Sequence, residues 1–132
     1  MAVSTQHLNS IPQWARDLVA KRDGDRCVMC RVPGTNHHHR RSRSVHDAHR
    51  HCPCVLVTMC GSGITGCHGY VHARPLVARG TGLIVSKFVT APSLTPFRSG
   101  LAWVFPDCEG GATRVTAADM AEAIELFNQQ GE

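Results

Sequence analysis

The chain has 132 residues, a net charge of +4 and few aromatic side chains; it is one domain's worth, with a thin core that a metal staple would help. No run approaches the roughly eighteen apolar residues of a membrane helix, and the N-terminus lacks a charged-then-apolar leader, so a cytoplasmic protein without membrane association is expected. In a reducing cytosol, paired cysteines beside histidines read as metal ligands, and the odd count of seven does not fit a fully paired disulfide framework.

The charge is unevenly spread. Up to Pro106, thirteen Lys and Arg stand against four acids, whereas from Asp107 onward six acids face only Arg114. Arg26, Arg31, Arg40, Arg41, Arg43 and Arg50 crowd the stretch between residues 26 and 50, where Asp47 is the sole acid. That is an electrostatic footprint for phosphate.

In chain order, Ser10-Ile11-Pro12-Gln13 has the form of a capping box, with Ser10 as N-cap and Gln13 reaching back. It predicts a helix to about Arg22, with Trp14, Leu18 and Val19 inward and Asp23-Gly24 as the stop. Cys27, Cys30, Cys60 and Cys67 then have the makings of a tetrahedral zinc site. A Cys-x-x-Cys turn sets two thiolates on one ion, and the glycines at 61, 63 and 66 let the wider second pair curl back. Cys52 and Cys54 compete for a ligand position.

Between the pairs lie His37, His38 and His39. In an extended segment, neighbouring side chains point to opposite faces, so consecutive histidines can serve different tasks, one holding a cation and the other activating water. His68 and His72, four apart, share one face of a predicted helix, as two ligands of one ion should. Pro75 is expected to end or kink that helix.

Arg22-Asp23-Gly24, Cys27-x-x-Cys30, His38-His39-Arg40-Arg41, Met59-Cys60-Gly61-Ser62-Gly63 and Gly66-Cys67-His68-Gly69-Tyr70 together resemble the zinc-containing HNH endonucleases, particularly small ones encoded by phages of actinobacteria. The resemblance covers about residues 13 to 85. It implies a ββα-metal (His-Me finger) core with a four-cysteine zinc knot behind it. By position it makes His38 and His68 ligands of the catalytic ion, with His72 as a third, and His39 the general base. Arg40, Arg41 and Arg43 would clamp backbone phosphates of double-stranded DNA. The family's central asparagine has no counterpart: aligned on Cys60, its place falls on Val55, and His51, the nearest of the loop histidines His46, His49 and His51, is the first choice of brace for His39.

Phosphodiester hydrolysis asks for these residue types. It needs a deprotonated water in line with the leaving oxygen and a cation to offset charge developing on the phosphate. A neutral imidazole suits the first role, and one Mg²⁺, Mn²⁺ or Ni²⁺ with open positions suits the second.

Beyond Gly80 the pattern changes to strands. Residues 82–89 read as one strand, a Pro- and Ser-containing loop follows, and Leu101 to Phe105 pairs with Ala112 to Val115 as a hairpin. Thr116 and Asp119 cap a final helix with Met120, Ala123, Ile124 and Phe127 on its apolar face. The expected fold class is α+β, with a nuclease domain over residues 1–90 and a hairpin-and-helix extension over 91–132. The expected function is metal-dependent DNA endonuclease, nicking or cutting duplex DNA. Relatives of this kind accompany phage packaging terminases, which adds a terminase to the expected partners. The competing readings are a zinc-knot DNA-binding module without catalysis and a zinc-stabilised protein-interaction domain.

Overall fold

Helix α1 spans Gln13–Asp23 and stops where Gly24 takes a left-handed φ of 67° and turns its N–H back onto the carbonyls of Ala20 and Lys21. Its start differs from the expected capping box. Pro12 occupies the N-cap with an extended ψ of 147°, so helical geometry begins only after it, and Gln13 donates to Asp17 Oδ1 instead of reaching back. The buried stripe is Ala15, Val19 and Asp23, while Trp14 remains 57 % exposed and Leu18 half-buried. Asp23 belongs inside because its carboxylate is fully used there: Arg22 Nε and Nη2 donate at 2.8 and 3.0 Å and the Thr58 N–H at 2.9 Å. The stripe is thus set by a buried ion pair and not by the bulkiest apolar side chain.

This computed structural model describes residues 10–116 and, of the C-terminal segment, residues 118, 119, 121, 122, 125 and 129. The protein is a small α+β fold with few helices and two small sheets. Strands β1 (Asn36–His39) and β2 (Leu56–Met59) pair antiparallel, with His38 opposite Val57 and His39 opposite Leu56. Every β2 residue is buried because a core lies on each face of the ribbon. Val57 and Met59 join Cys27, Val71, Leu83 and Phe97, whereas Leu56 joins Ala15, Val19, Cys52 and Cys54. Alternation along β1 then sends His38 and His39 to different sides. Helix α2 (Gly66–Ala73) follows, and after Arg74 helix α3 (Pro75–Gly80) begins on the proline, so Pro75 does end the histidine-bearing helix.

Residues 82–89 are not a strand. Leu83, Val85 and Val89 are buried as the apolar run suggested, but the segment's carbonyls are taken by side chains. Those of Gly82, Leu83 and Val89 accept from Arg40, His38 and Arg41, which leaves no ladder to build.

The C-terminal sheet has the order β3-β4-β5, built from β3 (Phe97–Ser99), β4 (Ala102–Pro106) and β5 (Ala112–Arg114). The β4–β5 hairpin was expected and β3 was not. Phe97 on β3 is fully buried in the main core between two guanidinium groups, those of Arg22 at 5.2 Å and Arg40 at 5.1 Å, so residues on either side of position 90 share one core. Thr116 and Asp119 make the reciprocal cap: the Asp119 N–H donates to Thr116 Oγ1 and the Thr116 N–H to Asp119 Oδ2. The apolar face expected beyond it, Met120, Ala123, Ile124 and Phe127, lies outside the described residues. Among the described residues, no helix is long and apolar enough to cross a membrane.

Candidate active site

The four cysteines of the expected zinc knot converge. The Sγ atoms of Cys27, Cys30, Cys60 and Cys67 lie within 4.8 Å of one another, and Cys30 and Cys60 are 3.6 Å apart. A tetrahedron with zinc–sulfur bonds of about 2.3 Å has edges of about 3.8 Å, so the group can hold one zinc ion. The first pair sits on a tight turn closed by the Cys27 N–H to Val32 O and the Arg31 N–H to Cys27 O, with Arg31 at φ 69°. Burial raises the Cys27 thiol, yet the backbone N–H groups of Cys30, Cys60 and Met29 outweigh it and bring its pKa down to about 7. The second pair depends on glycine: a Cβ on Gly61 would stand 2.1 Å from Thr65 O, and one on Gly66 would meet the Gly61 backbone, whereas Gly63 faces open space.

Cys67 sits in the first turn of α2, and the same helix turns His68 and His72 toward β1. His38, His68 and His72 have ligand atoms within 4.8 Å of one another and ring centroids 4.9 to 5.3 Å apart. Outer partners orient two of the rings. His38 Nε2–H donates to the Leu83 carbonyl at 2.7 Å, which leaves Nδ1 as the free lone pair. His68 Nδ1–H donates to Asn36 Oδ1 at 3.4 Å, which leaves Nε2. Asn36 is anchored in turn by its side-chain N–H to the Gly61 carbonyl, so one asparagine links the cysteine loop to a histidine of the cluster. Burial keeps His38 neutral, with its pKa down to about 4, and lowers His68 as well, which suits imidazoles meant to bind a cation. His37, one position earlier, joins neither group, and neither of its ring nitrogens has a hydrogen-bond partner.

His39 faces the other side of the ribbon, and its Nε2 lies 3.0 Å from His51 Nδ1. Burial first, then the Arg43 guanidinium and the neighbouring His51 ring, brings its pKa down to about 3. Val55, at the place of the family's asparagine, is completely buried in the apolar cluster beneath α1 and carries no such contact. A cleft of about 290 Å³ is lined by all three histidines of β1 together with Arg41, Ser42, Arg43, His68 and His72. A larger one of about 780 Å³, between Arg31, Trp103 and Arg114, has no histidine or cysteine in its wall.

The arginines divide in a way the sequence does not suggest. Arg40 and Arg41 are 1 % and 2 % exposed and cannot present a guanidinium to a duplex, which corrects their expected role as phosphate clamps. Arg40 donates to the carbonyls of Gly82 at 2.7 Å, Cys54 at 2.8 Å and Thr95 at 2.5 Å. Arg41 makes a bidentate pair with Asp47 at 3.0 and 2.6 Å and adds the Val89 carbonyl. A buried cation demands such saturation. Of the three, Arg43 alone is exposed, at the rim of the cleft.

Sequence reasoning missed two features. Asn36 has no spacing that marks it. His49, Cys52, Cys54 and Cys108 also have ligand atoms within 4.8 Å of one another and can hold a metal ion; the His49-x-x-Cys52-x-Cys54 spacing is legible, but Cys108 comes from a distant turn. No protein-family model, curated protein or solved structure matches this chain.

Proposed function

We propose that the chain is a metal-dependent endonuclease of the HNH type that hydrolyses phosphodiester bonds of duplex DNA. The observation that carries the reading is the division of labour on one short strand: His38 converges with His68 and His72, while its neighbour His39 turns to the other face and meets His51 ring to ring. The order of β1, β2 and α2, with the cysteine group behind, agrees with the ββα-metal core that the resemblance implies.

The donor set fits a divalent ion on His38, His68 and His72, which when bound would supply Lewis acidity against the charge developing on the phosphate. An all-imidazole set suits Ni²⁺ better than Mg²⁺. In the tautomer that the proposed role requires, His39 Nε2–H donates to His51 Nδ1 across their 3.0 Å contact, so that His39 Nδ1 keeps its lone pair and would accept the proton of the attacking water. Arg43 at the rim meets a backbone phosphate and fixes the register of the strand without reading bases. Packaging beside a phage terminase is the biological setting that the resemblance suggests.

Incubating supercoiled plasmid with the protein and Ni²⁺, Mn²⁺ or Mg²⁺ tests the reading. Nicked or linear product supports it. Salt-dependent binding without cutting under every ion returns the non-catalytic DNA-binding module, and absence of binding leaves the protein-interaction domain.

A further inference from the structure

We propose that His49, Cys52, Cys54 and Cys108 form a second structural zinc site, one that rivets the β4–β5 turn to the long loop between β1 and β2. His49 Nδ1 stands 3.7 Å from Cys54 Sγ and 3.6 Å from Cys108 Sγ. Zinc bonds of about 2.3 Å to sulfur and about 2.0–2.1 Å to nitrogen give a tetrahedral nitrogen–sulfur edge of about 3.6 Å. Both separations match it. Three thiols and one imidazole make a complete tetrahedral set of the kind that closes structural sites, with no position left for substrate.

Two other accounts of these residues are weaker. A disulfide consumes two thiols, and the group has three. Ordinary core packing accounts for Cys54 and Cys52, which are buried against Ala15, Val19 and Leu56, but not for a histidine ring nitrogen directed at two sulfur atoms. All seven cysteines of the chain fall into the two groups, four in one and three in the other.

Each arm is set in place by contacts of its own. Asp47, already paired with Arg41, accepts the His49 N–H at 2.9 Å, and the Cys52 N–H closes a turn onto the His49 carbonyl. On the other arm, Asp107 Oδ1 accepts the N–H groups of Glu109 and Gly111, which shapes the turn around Cys108. Gly110, at φ 85°, lets that turn press on α1, since a Cβ there would stand 2.8 Å from Leu18 Cβ. The loop from Ser42 to Cys52 has no helix or strand, and a loop of that length in a small domain needs an anchor. His51 lies between two of the four ligands, so the ion would also steady the residue that contacts His39; this last consequence rests on the proposed function, and the site itself does not.

Metal analysis of the purified His68→Ala protein, in which the histidine cluster is disabled, tests the site. The expected result is two zinc ions per chain and, after exchange with ¹¹³Cd, two resonances, one in a four-sulfur and one in a three-sulfur, one-nitrogen environment. Adding Cys108→Ala should remove one ion and the second resonance only, and Cys108→His should retain both ions. A single zinc in the His68→Ala protein, or two ions surviving Cys108→Ala, overturns the proposal. Should Cys108→Ala fail to fold, the resonances of the Cys108→His protein decide, because only a true ligand position shifts one signal on exchanging sulfur for nitrogen. DNA cleavage does not enter these readouts, so a protein that holds both ions and cuts nothing loses the nuclease reading and keeps the site.

Discussion

His39 and His51 meet ring to ring, Nε2 to Nδ1 at 3.0 Å, so the imidazole that ends β1 is oriented by a loop residue twelve positions further along the chain. Under the proposed function, this contact would stand in for the asparagine of the resembling family, since Val55 at that place is sealed in the core. Replacing His39 by Ala should lower plasmid cleavage by about 10² to 10⁴, the worth of general-base catalysis, with zinc content and melting temperature kept. His51→Ala should lower turnover less. Cleavage by His39→Ala at the parent's rate would remove His39 from the chemistry.

The cluster on α2 answers differently. His38→Ala and His72→Ala should weaken binding of the catalytic ion, and raising its concentration should restore part of the activity; no excess should rescue His39→Ala. Ni²⁺ should support faster cleavage than Mg²⁺ at equal concentration, because three imidazole ligands favour a borderline ion over a hard one. Titrating each ion against initial rate checks both statements, and a clear preference for Mg²⁺ would argue against the three-histidine ligand set.

Arg40 and Arg43 should separate folding from binding. Arg40→Ala leaves the carbonyls of Gly82, Cys54 and Thr95 without donors at a cost of about 1–3 kcal/mol each, a large part of a small domain's stability. It should unfold the protein or depress its melting point sharply. Arg43→Ala should stay within about 0.5 kcal/mol of the parent's stability. It should reduce the salt slope of DNA binding by about 1, uniformly across sequences. Equal effects of the two variants on DNA affinity, with no loss of stability in Arg40→Ala, would contradict the burial described.

The cysteine loop offers a paired glycine test. Gly61→Ala puts a Cβ against the Thr65 carbonyl at 2.1 Å on a left-handed backbone, a strain of about 1–3 kcal/mol before any clash. Zinc retention and melting temperature should both fall. Gly63→Ala, with nothing within 4 Å, should be silent. Cys27→Ser, at a fully buried ligand, should unfold the chain outright, since structural zinc supplies folding free energy on the order of 10 kcal/mol.

What was legible in the sequence is what local spacing records. Cys27-x-x-Cys30, the glycines around Cys60 and the four-residue step from His68 to His72 each point, before any tertiary contact forms, to side chains that the fold does bring within reach of one ion. Pro75 and Gly24 likewise mark boundaries by fixed backbone preferences. Four of the differences share one origin. Trp14, residues 82–89, Arg40 and Arg41 were read by the usual habits of their types, but here buried cations decide where they go. Arg22 with Asp23 draws α1 inward along a stripe that excludes Trp14, and the guanidinium groups of Arg40 and Arg41, with the His38 ring, take the carbonyls that a strand over 82–89 would have needed. Cys108 escaped notice because its partners precede it by more than fifty residues, a distance that no motif spans.

The Arg40 guanidinium also sets a clock on synthesis. Its partners run from Cys54 to Pro96, the last of them 56 residues downstream. While the chain is being made, Arg40, next in sequence to the proposed base, lacks its full set of acceptors until Pro96 has been added. At about 5–20 residues per second that is a delay of roughly 3 to 11 s. The end of β1 therefore waits for its buried cation to be satisfied, even in a chain long enough to contain every histidine of the proposed site.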